Sequence, residues 1–161
     1  MTIPVAADEL VQGLNTWSSD WLWGVPLMVG TTVVHVVGMG FVCRKTLKYF
    51  PERIEKSKHH QTVFVVAMSL MTWFAITLHG AEAAMWAVAF RLLGAVSSAN
   101  MAMLYSLNAV TSYGHESLNL AGHWRLMGAL EALNGWLLFG LTTAFMFGTI
   151  EKLWSKRASW Q

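Results

Sequence analysis

Three long apolar runs, almost free of charged residues, dominate the pattern of hydrophobic and polar positions along the chain. They cover about residues 21–43, 61–90 and 126–150. A run of about 20 such residues is long enough to cross the hydrocarbon core of a bilayer as an α-helix. The pattern therefore predicts three membrane-spanning helices. The second, at about 30 residues and 45 Å, is longer than that core is thick.

A fourth apolar run, residues 92–110, is interrupted by polar residues. These are Ser97, Ser98, Asn100, Ser106 and Asn108. The helical core of this run is about 12 residues, which is shorter than a membrane span. We predict a short helix that enters the membrane without crossing it.

Two basic segments predict the orientation of the chain. Residues 44–58 hold six Lys or Arg against two Glu, and residues 152–157 hold three further basic residues. Basic segments beside membrane spans stay on the cytoplasmic side. Both segments lie there only if two crossings separate them, so the run 92–110 must be re-entrant and open to the outside. The N-terminus is then outside and the C-terminus is cytoplasmic.

A re-entrant loop also predicts an oligomer. Its non-helical backbone at membrane depth has to be buried in protein or line water. Three spans of one chain cannot enclose both the loop and a pore, whereas several copies can. The negative C-terminal end of each short helix would then point to the centre and favour a cation there.

Composition agrees with a membrane protein. The chain has 161 residues, of which 55% are hydrophobic and only 12% charged, with a mean hydropathy of +0.43. Soluble domains carry roughly 25% charged residues. A net charge of +2 is too small to suggest a nucleic-acid partner, and the lone Cys43 excludes an intramolecular disulfide.

Two motifs flank the predicted loop. Residues 104–111 read Leu-Tyr-Ser-Leu-Asn-Ala-Val-Thr, and residues 124–135 read Trp-Arg-Leu-Met-Gly-Ala-Leu-Glu-Ala-Leu-Asn-Gly. On these motifs, residues 62–150 resemble the two-span pore module of bacterial potassium channels, the ion channel 2 family. The resemblance implies a homotetramer in the bacterial inner (plasma) membrane that conducts cations and has no enzymatic activity.

The resemblance also implies the organisation of the chain. Residues 1–20 would be an N-terminal interfacial segment, and residues 21–60 a peripheral transmembrane helix with a basic cytoplasmic linker. Residues 61–150 would be the pore module of outer helix, pore helix, filter and inner helix, and residues 151–161 a cytoplasmic tail. The fold class is an all-α membrane protein with three transmembrane helices and a re-entrant pore helix.

The implied selectivity filter departs from the family pattern T-x-G-Y-G-D. It consists of Thr111, Ser112, Tyr113, Gly114, His115 and Glu116. One of the two family glycines is missing, and glycine is what lets backbone carbonyls turn inward at low cost. We therefore expect weak selectivity among K⁺ and Na⁺, with Ca²⁺ as a further permeant candidate at a Glu116 ring. Protonation of the four His115 side chains around the pore, at about pH 6–7, would inhibit conduction.

Further polar residues in the apolar runs are assigned supporting roles. Glu131 is expected to brace the filter by bonding Ser106, Thr111 or a backbone N–H, with Asn108 nearby; the alternative for Glu131 is a titrating gate. Asn134 is a candidate for a water-filled cavity, and Gly135 for a bending point of the inner helix.

The i, i+3 pair His79 and Glu82 shares one helix face. Two interpretations stay open for it: a metal or proton site, or a hydrogen-bonded pair that braces the pore helix. His35 lies mid-span and is expected to bond a neighbour.

Two alternative functions remain. The first is a haem- or metal-binding membrane bundle, with His35 and His79, or His79 and Glu82 with His115 and His123, as ligands. Against it, His35 is placed mid-span and His79 near the outer end of its helix, at different depths. The second is a non-conducting accessory subunit with the channel fold. In every case residues 44–58 are expected to lie on anionic lipid.

Overall fold

The protein is all-helical in a computed structural model, which describes residues 4–114, 120–121 and 124–158 and the side chains of 18–114, 120–121 and 124–154. The helices are α1 (Pro4–Lys56), α2 (His60–Leu92), α3 (Ala99–Val110) and α4 (Arg125–Ala158). No strand occurs within these described ranges. The predicted all-α class is confirmed.

Three helices in the described part of the chain are long and apolar enough to cross a membrane. They are Ser18–Lys56, His60–Leu92 and Arg125–Trp154. The predicted number of long apolar helices is confirmed, and their length and composition are those of a membrane protein. Two helices extend past the predicted spans: α1 continues through the basic segment to Lys56, and α4 continues to Ala158.

Two threonines of the apolar helix α2 pair their hydroxyl groups with the backbone of the same helix. Thr72 donates to the carbonyl of Met68, and Thr77 to that of Trp73, both at 3.0 Å. Such a bond to the backbone one turn earlier satisfies the hydroxyl inside its own helix. A threonine in an apolar run is thus compatible with a helix surrounded by hydrocarbon.

The chain divides into two compact units. The first contains residues 1–32 and 83–136. Its core is aromatic and aliphatic, and Phe90 meets Tyr105 edge to face with ring centroids 5.3 Å apart. The other buried core residues of this unit are Trp86, Ala95, Ala109, Leu120, Trp124, Met127 and Leu130. The core thus joins the end of α2, α3 and the beginning of α4.

The second unit contains residues 33–82 and 137–161, which are parts of α1, α2 and α4. Its buried apolar residues include Met39, Met71 and Leu138. A Cβ added to Gly38 would lie only 3.0 Å from the Leu78 side chain, so the absence of a side chain allows α1 and α2 to approach closely. Small residues at helix contacts are typical of membrane proteins, where close van der Waals packing drives association.

A glycine in α4 sets the distance between α4 and α3 in the first unit. A Cβ added to Gly135 would collide with the backbone of Val110, at the end of α3. Backbone atoms cannot move aside as a side-chain tip can. Gly135 therefore has a packing role, and its predicted role as a bending point stays a prediction.

This contact predicts opposite effects for two glycine substitutions in α4. Gly135→Ala should lower the free energy of unfolding by about 1–3 kcal/mol, because overpacking forces the backbone apart. Gly140→Ala is the matched control, since Gly140 is exposed with no atom within 4 Å of an added Cβ in the described part of the chain. It should be neutral or stabilising, because alanine is the better helix former. Thermal unfolding in detergent, followed by circular dichroism, measures both. Equal effects at the two positions would contradict the contact.

Candidate functional site

A hairpin-shaped loop that contains α3 forms the first candidate site. It opens after Gly94, whose φ of +68° ends α2, and Ala95 donates its N–H to the Phe90 carbonyl at 2.9 Å. It closes where Ala121 donates its N–H to the Ala95 carbonyl at 3.2 Å. The two ends of the loop, about 25 residues apart in sequence, are therefore neighbours. From Ala95 the described chain runs through α3 to Gly114, and Ala121 lies back beside Ala95.

The tip of the loop begins where α3 ends. Ser112 donates its N–H to the Ala109 carbonyl at 2.9 Å, and Tyr113 to the Asn108 carbonyl at 3.0 Å. This pair of bonds is the Schellman arrangement, which places one residue in the left-handed region. Here that residue is Ser112, with φ 54°, where glycine is usual. The conformation costs a non-glycine residue on the order of 1–2 kcal/mol. Gly114, with φ 97°, follows without such a cost.

Contacts with α4 show how far along that helix the tip of the loop lies. The Val110 backbone lies against Gly135, ten residues into α4 and so about 15 Å along the axis from its start at Arg125. The Trp136 indole Nε1 donates to the Ser112 hydroxyl at 2.9 Å, at the same level. Tyr113 is 86% exposed. The tip thus lies well along α4 while the ends of the loop lie near its beginning.

Two buried polar side chains, Glu131 of α4 and Ser106 of α3, lie on the buried side of α3. Glu131 is fully buried, and within the described residues neither of its carboxyl oxygens has a hydrogen-bond partner. Ser106, also fully buried, lies close enough to interact with that carboxyl, but no hydrogen bond of ordinary geometry joins them. The predicted neighbourhood of Glu131 and Ser106 is therefore present without the predicted bond. Thr111 points elsewhere, since its hydroxyl donates to the Leu107 carbonyl at 2.7 Å.

Two further predicted residues near the loop have different surroundings from those expected. Asn134 was expected to face a water-filled cavity, but it is fully buried and its Nδ2 donates to the Thr31 hydroxyl at 2.7 Å. An amide inside an apolar core needs such a partner, and α1 supplies it. Asn108 contributes its backbone carbonyl to the helix cap. The predicted outer filter residues His115 and Glu116, and His123, lie outside the described residues.

A second candidate site lies wholly in the second unit, around Glu82. Its Oε1 lies 2.9 Å from Nδ1 of His35, and its Oε2 lies 3.3 Å from Nδ1 of His79. The His35 and Glu82 side chains are 0% and 1% exposed, and that of His79 is 23% exposed. One carboxylate thus lies between two imidazoles, away from water. We call His35, His79, Glu82 and Thr142 the polar cluster.

The polar cluster corrects the predicted depths of its histidines. The rings of His35 and His79 lie with centroids 5.0 Å apart, so the prediction that they lie at different depths was wrong. The physical reason is the length of the helices. His35 is near the middle of the apolar segment Ser18–Lys56, and His79 is near the middle of His60–Leu92. The contacts of the His79–Glu82 pair run to His35 and Thr142, in place of the predicted role as a brace for the pore helix.

The sequence interpretation missed Thr142. Its hydroxyl lies 3.0 Å from Nε2 of His35, 3.0 Å from Nε2 of His79 and 3.0 Å from the Leu138 carbonyl. A threonine in an apolar helix usually bonds only its own backbone, so this residue type carries no signal by itself. Thr142 closes the polar cluster into a ring of four side chains from α1, α2 and α4.

Comparisons with models of protein families, with curated proteins and with solved structures found no match to this chain. The geometry of the two sites is therefore what supports a function.

The polar cluster predicts a strong effect of neutralising Glu82. Glu82→Gln keeps the shape of the side chain but removes its charge from between the two imidazoles. Breaking a buried pair on one side costs about 3–5 kcal/mol, and the lower end of that range is expected because the amide still accepts one hydrogen bond. Thermal unfolding in detergent with chelator present measures the loss.

The matched control for this substitution is Glu52→Gln. Glu52 pairs with Lys56 at 3.6 Å, but both side chains are nearly four-fifths exposed. An exposed i, i+4 pair contributes less than about 0.5 kcal/mol, so this variant should unfold like the wild type. A Glu82→Gln protein as stable as Glu52→Gln would contradict the proposed importance of the cluster.

Proposed function

We propose that the chain is one subunit of a homotetrameric cation channel whose pore is lined by the tip of the α3 loop. The observation that carries this proposal is that the chain leaves from Ala95, reaches far along α4 at the end of α3, and is back beside Ala95 at Ala121. Ala121 and Ala95 are joined by a hydrogen bond, while the end of α3 reaches about 15 Å along α4. In a membrane, a loop of this shape beside a spanning helix enters the bilayer and returns on the same side.

The exposure of α3 supports association of several copies. Ala102, Tyr105, Ser106 and Ala109 are buried within the chain. Met101, Leu104 and Leu107 on its other side are exposed, as are all four tip residues, 111–114. Non-helical backbone at membrane depth has to be covered by protein or line water. A tetramer around the tip meets this requirement: the apolar residues lie between subunits, and the tip faces a central water path.

The charge distribution of the loop favours cations in that path. No acidic or basic residue occurs within α3, so its own side chains add no charge to the dipole of its backbone. The C-terminal end of a helix carries a partial negative charge, and carbonyls near it can replace part of the water shell of an ion. Ser112, Tyr113 and Gly114 would line the narrow part, with Thr111 at its inner end. K⁺ and Na⁺ are the proposed permeant ions, with Ca²⁺ as a further candidate.

Glu131, Ser106 and Asn134 would hold the loop from behind. Glu131 and Ser106 are completely buried between α3 and α4, and Asn134 bonds α1. Buried polar groups of this kind are rare in membrane segments and are usually functional. Their proposed role is to fix α3 at the depth at which the tip meets its copies.

We propose the cytoplasmic side of a bacterial plasma membrane for the basic segment 44–58, with anionic lipid as its partner. In its helical part, the Nζ of Lys45 lies 5.3 Å from the Phe41 ring centroid, and the Nζ of Lys48 lies 5.4 Å from that of Tyr49. Exposed aromatic rings beside exposed cations are typical of the interface between hydrocarbon and charged headgroups. This orientation places the N-terminus outside and the C-terminus inside.

Ion flux through purified protein in planar bilayers tests the proposal. Potassium, sodium and calcium gradients should give currents with a reversal potential between the potassium and sodium values. Gly114→Ala should abolish them, because alanine is strained at φ 97° and the tip backbone would have to change. Gly94→Ala is the matched control: Gly94 also has a positive φ, +68°, but lies at the ends of the loop. It should reduce stability while leaving the current per folded tetramer intact.

Two results would overturn the channel. One is a monomer or dimer in native mass spectrometry from detergent, since the proposed pore requires four chains around the tip. The other is absence of current in protein shown to be tetrameric and folded, which would instead indicate an accessory subunit. Selectivity has a separate criterion: a reversal potential fixed at the potassium value would contradict weak selectivity but not conduction. Loss of calcium current in Glu116→Gln would assign calcium entry to that residue.

A further inference from the structure

We propose that His35, His79 and Glu82 bind one divalent transition-metal ion of the Zn²⁺ class inside the second unit. The site is structural: it ties α1 to α2 and, through Thr142, to α4. This inference goes beyond the proposed channel and does not depend on conduction, because none of the residues belongs to the α3 loop.

The geometry brings three suitable ligands together. One ligand atom from each of His35, His79 and Glu82 can be chosen such that all lie within 4.8 Å of one another. In a tetrahedral zinc site, bonds of about 2.0–2.2 Å place neighbouring ligand atoms roughly 3.3–3.5 Å apart. The distances from Glu82 oxygens to the two Nδ1 atoms, 2.9 and 3.3 Å, already approach this value. Two imidazoles and a carboxylate bound through both oxygens give four donor atoms.

One buried carboxylate oxygen of Glu82 has no hydrogen-bond donor within the described residues. Oε2 of Glu82 lies 3.3 Å from Nδ1 of His79 but is not aligned with it for a hydrogen bond, and it has no other partner among the described residues. A carboxylate oxygen without a donor in an apolar interior is costly, and such an atom calls for an explanation such as an ion.

The hydrogen-bond inventory of Thr142 leads to the same conclusion. If both Nδ1 atoms bind a metal, both Nε2 atoms carry hydrogen and donate to the Thr142 oxygen, which has two lone pairs. The Thr142 proton then goes to the Leu138 carbonyl, at 3.0 Å. Every polar atom of the cluster is satisfied. Metal-bound histidines regularly donate their second N–H to an outer partner that fixes the ring.

Without a cation, two neutral histidines cannot satisfy the polar cluster. With hydrogen on Nδ1, both Nε2 atoms are acceptors that face one hydroxyl with one proton. With hydrogen on Nε2 of both rings, a bare Nδ1 of His35 faces a carboxylate oxygen at 2.9 Å. With hydrogen on Nδ1 of His35 and on Nε2 of His79, a bare Nδ1 of His79 faces Oε2 of Glu82 at 3.3 Å. The polar cluster as a whole therefore needs one more positive charge, which either a metal ion or an extra proton supplies. The misaligned Glu82–His79 contact favours the metal, since a proton would draw that pair into a straight hydrogen bond.

Cobalt binding to the full-length protein tests the proposal. Tag-free protein is purified in detergent, stripped with chelator and titrated with Co²⁺, whose visible absorption reports a low-coordinate site. The wild type should bind about one Co²⁺ per chain, released by added Zn²⁺. His35→Gln and Glu82→Gln should lose this site, while His59→Gln, an exposed histidine in the turn before α2, should keep it. Thr142→Val retains all three ligands and should weaken binding about 10–100-fold.

A second measurement needs no variant and so covers the case in which the variants do not fold. X-ray absorption of zinc-loaded wild type should show two imidazole nitrogens and carboxylate oxygen around the metal. The thermal midpoint of the wild type should also rise on loading, because a ligand that binds only the folded state stabilises it. The proposal is overturned if stripped, monodisperse wild type takes up no more Co²⁺ than folded Glu82→Gln, or if the zinc spectrum lacks imidazole. Either result would leave a proton as the cation of the cluster.

Discussion

A carboxylate removed from water needs positive charge or hydrogen-bond donors beside it, and in the second unit this requirement falls on Glu82. Apolar contacts between helices surrounded by lipid are weakly directional, since hydrocarbon is as good a neighbour as leucine. Contacts to a buried carboxylate are directional. Because His35 and Thr142 come from other helices than His79 and Glu82, satisfying this one group fixes the rotation and the axial register of three helices together. Around it, residues such as Met39, Met71 and Leu138 only have to fill space.

The first unit is organised by a steric constraint. Gly135 lets the backbone of α4 touch that of Val110, and this contact determines how far α3 reaches along α4. A larger residue would hold the loop at another depth, with Ser112 no longer beside Trp136. The strained conformation of Ser112 persists because both its backbone and its hydroxyl are held in place. Backbone strain that is retained in this way is common where a chain has a function to perform.

The spans could be predicted from the sequence because they depend on a quantity that is additive along the chain, the apolar content of about 20 consecutive residues. The short helix was predictable for the same reason, since its core is too short to cross. Contacts between helices could not be predicted in this way. His35 and His79 are 44 positions apart, and their relative depth depends on where each helix begins, which an apolar run defines only within several residues. Thr142 was missed because a hydroxyl in an apolar helix normally has its own backbone as partner. The surroundings of Asn134 were not predictable because an amide can bond either water or a buried threonine.

The hydrogen bond between Ala121 and Ala95 gives the loop a property that its sequence alone does not suggest. Since the two ends of residues 95–121 already meet, a short turn could join α2 to α4 directly, and the loop is in architectural terms an insert in a helical hairpin. Only the exposed tip, residues 111–114, is free to change in length without disturbing the flanking elements, because α3 itself belongs to the core of the first unit. The two fixed ends thus separate the length of the tip from the packing of the helices, and a change at the tip is absorbed between them.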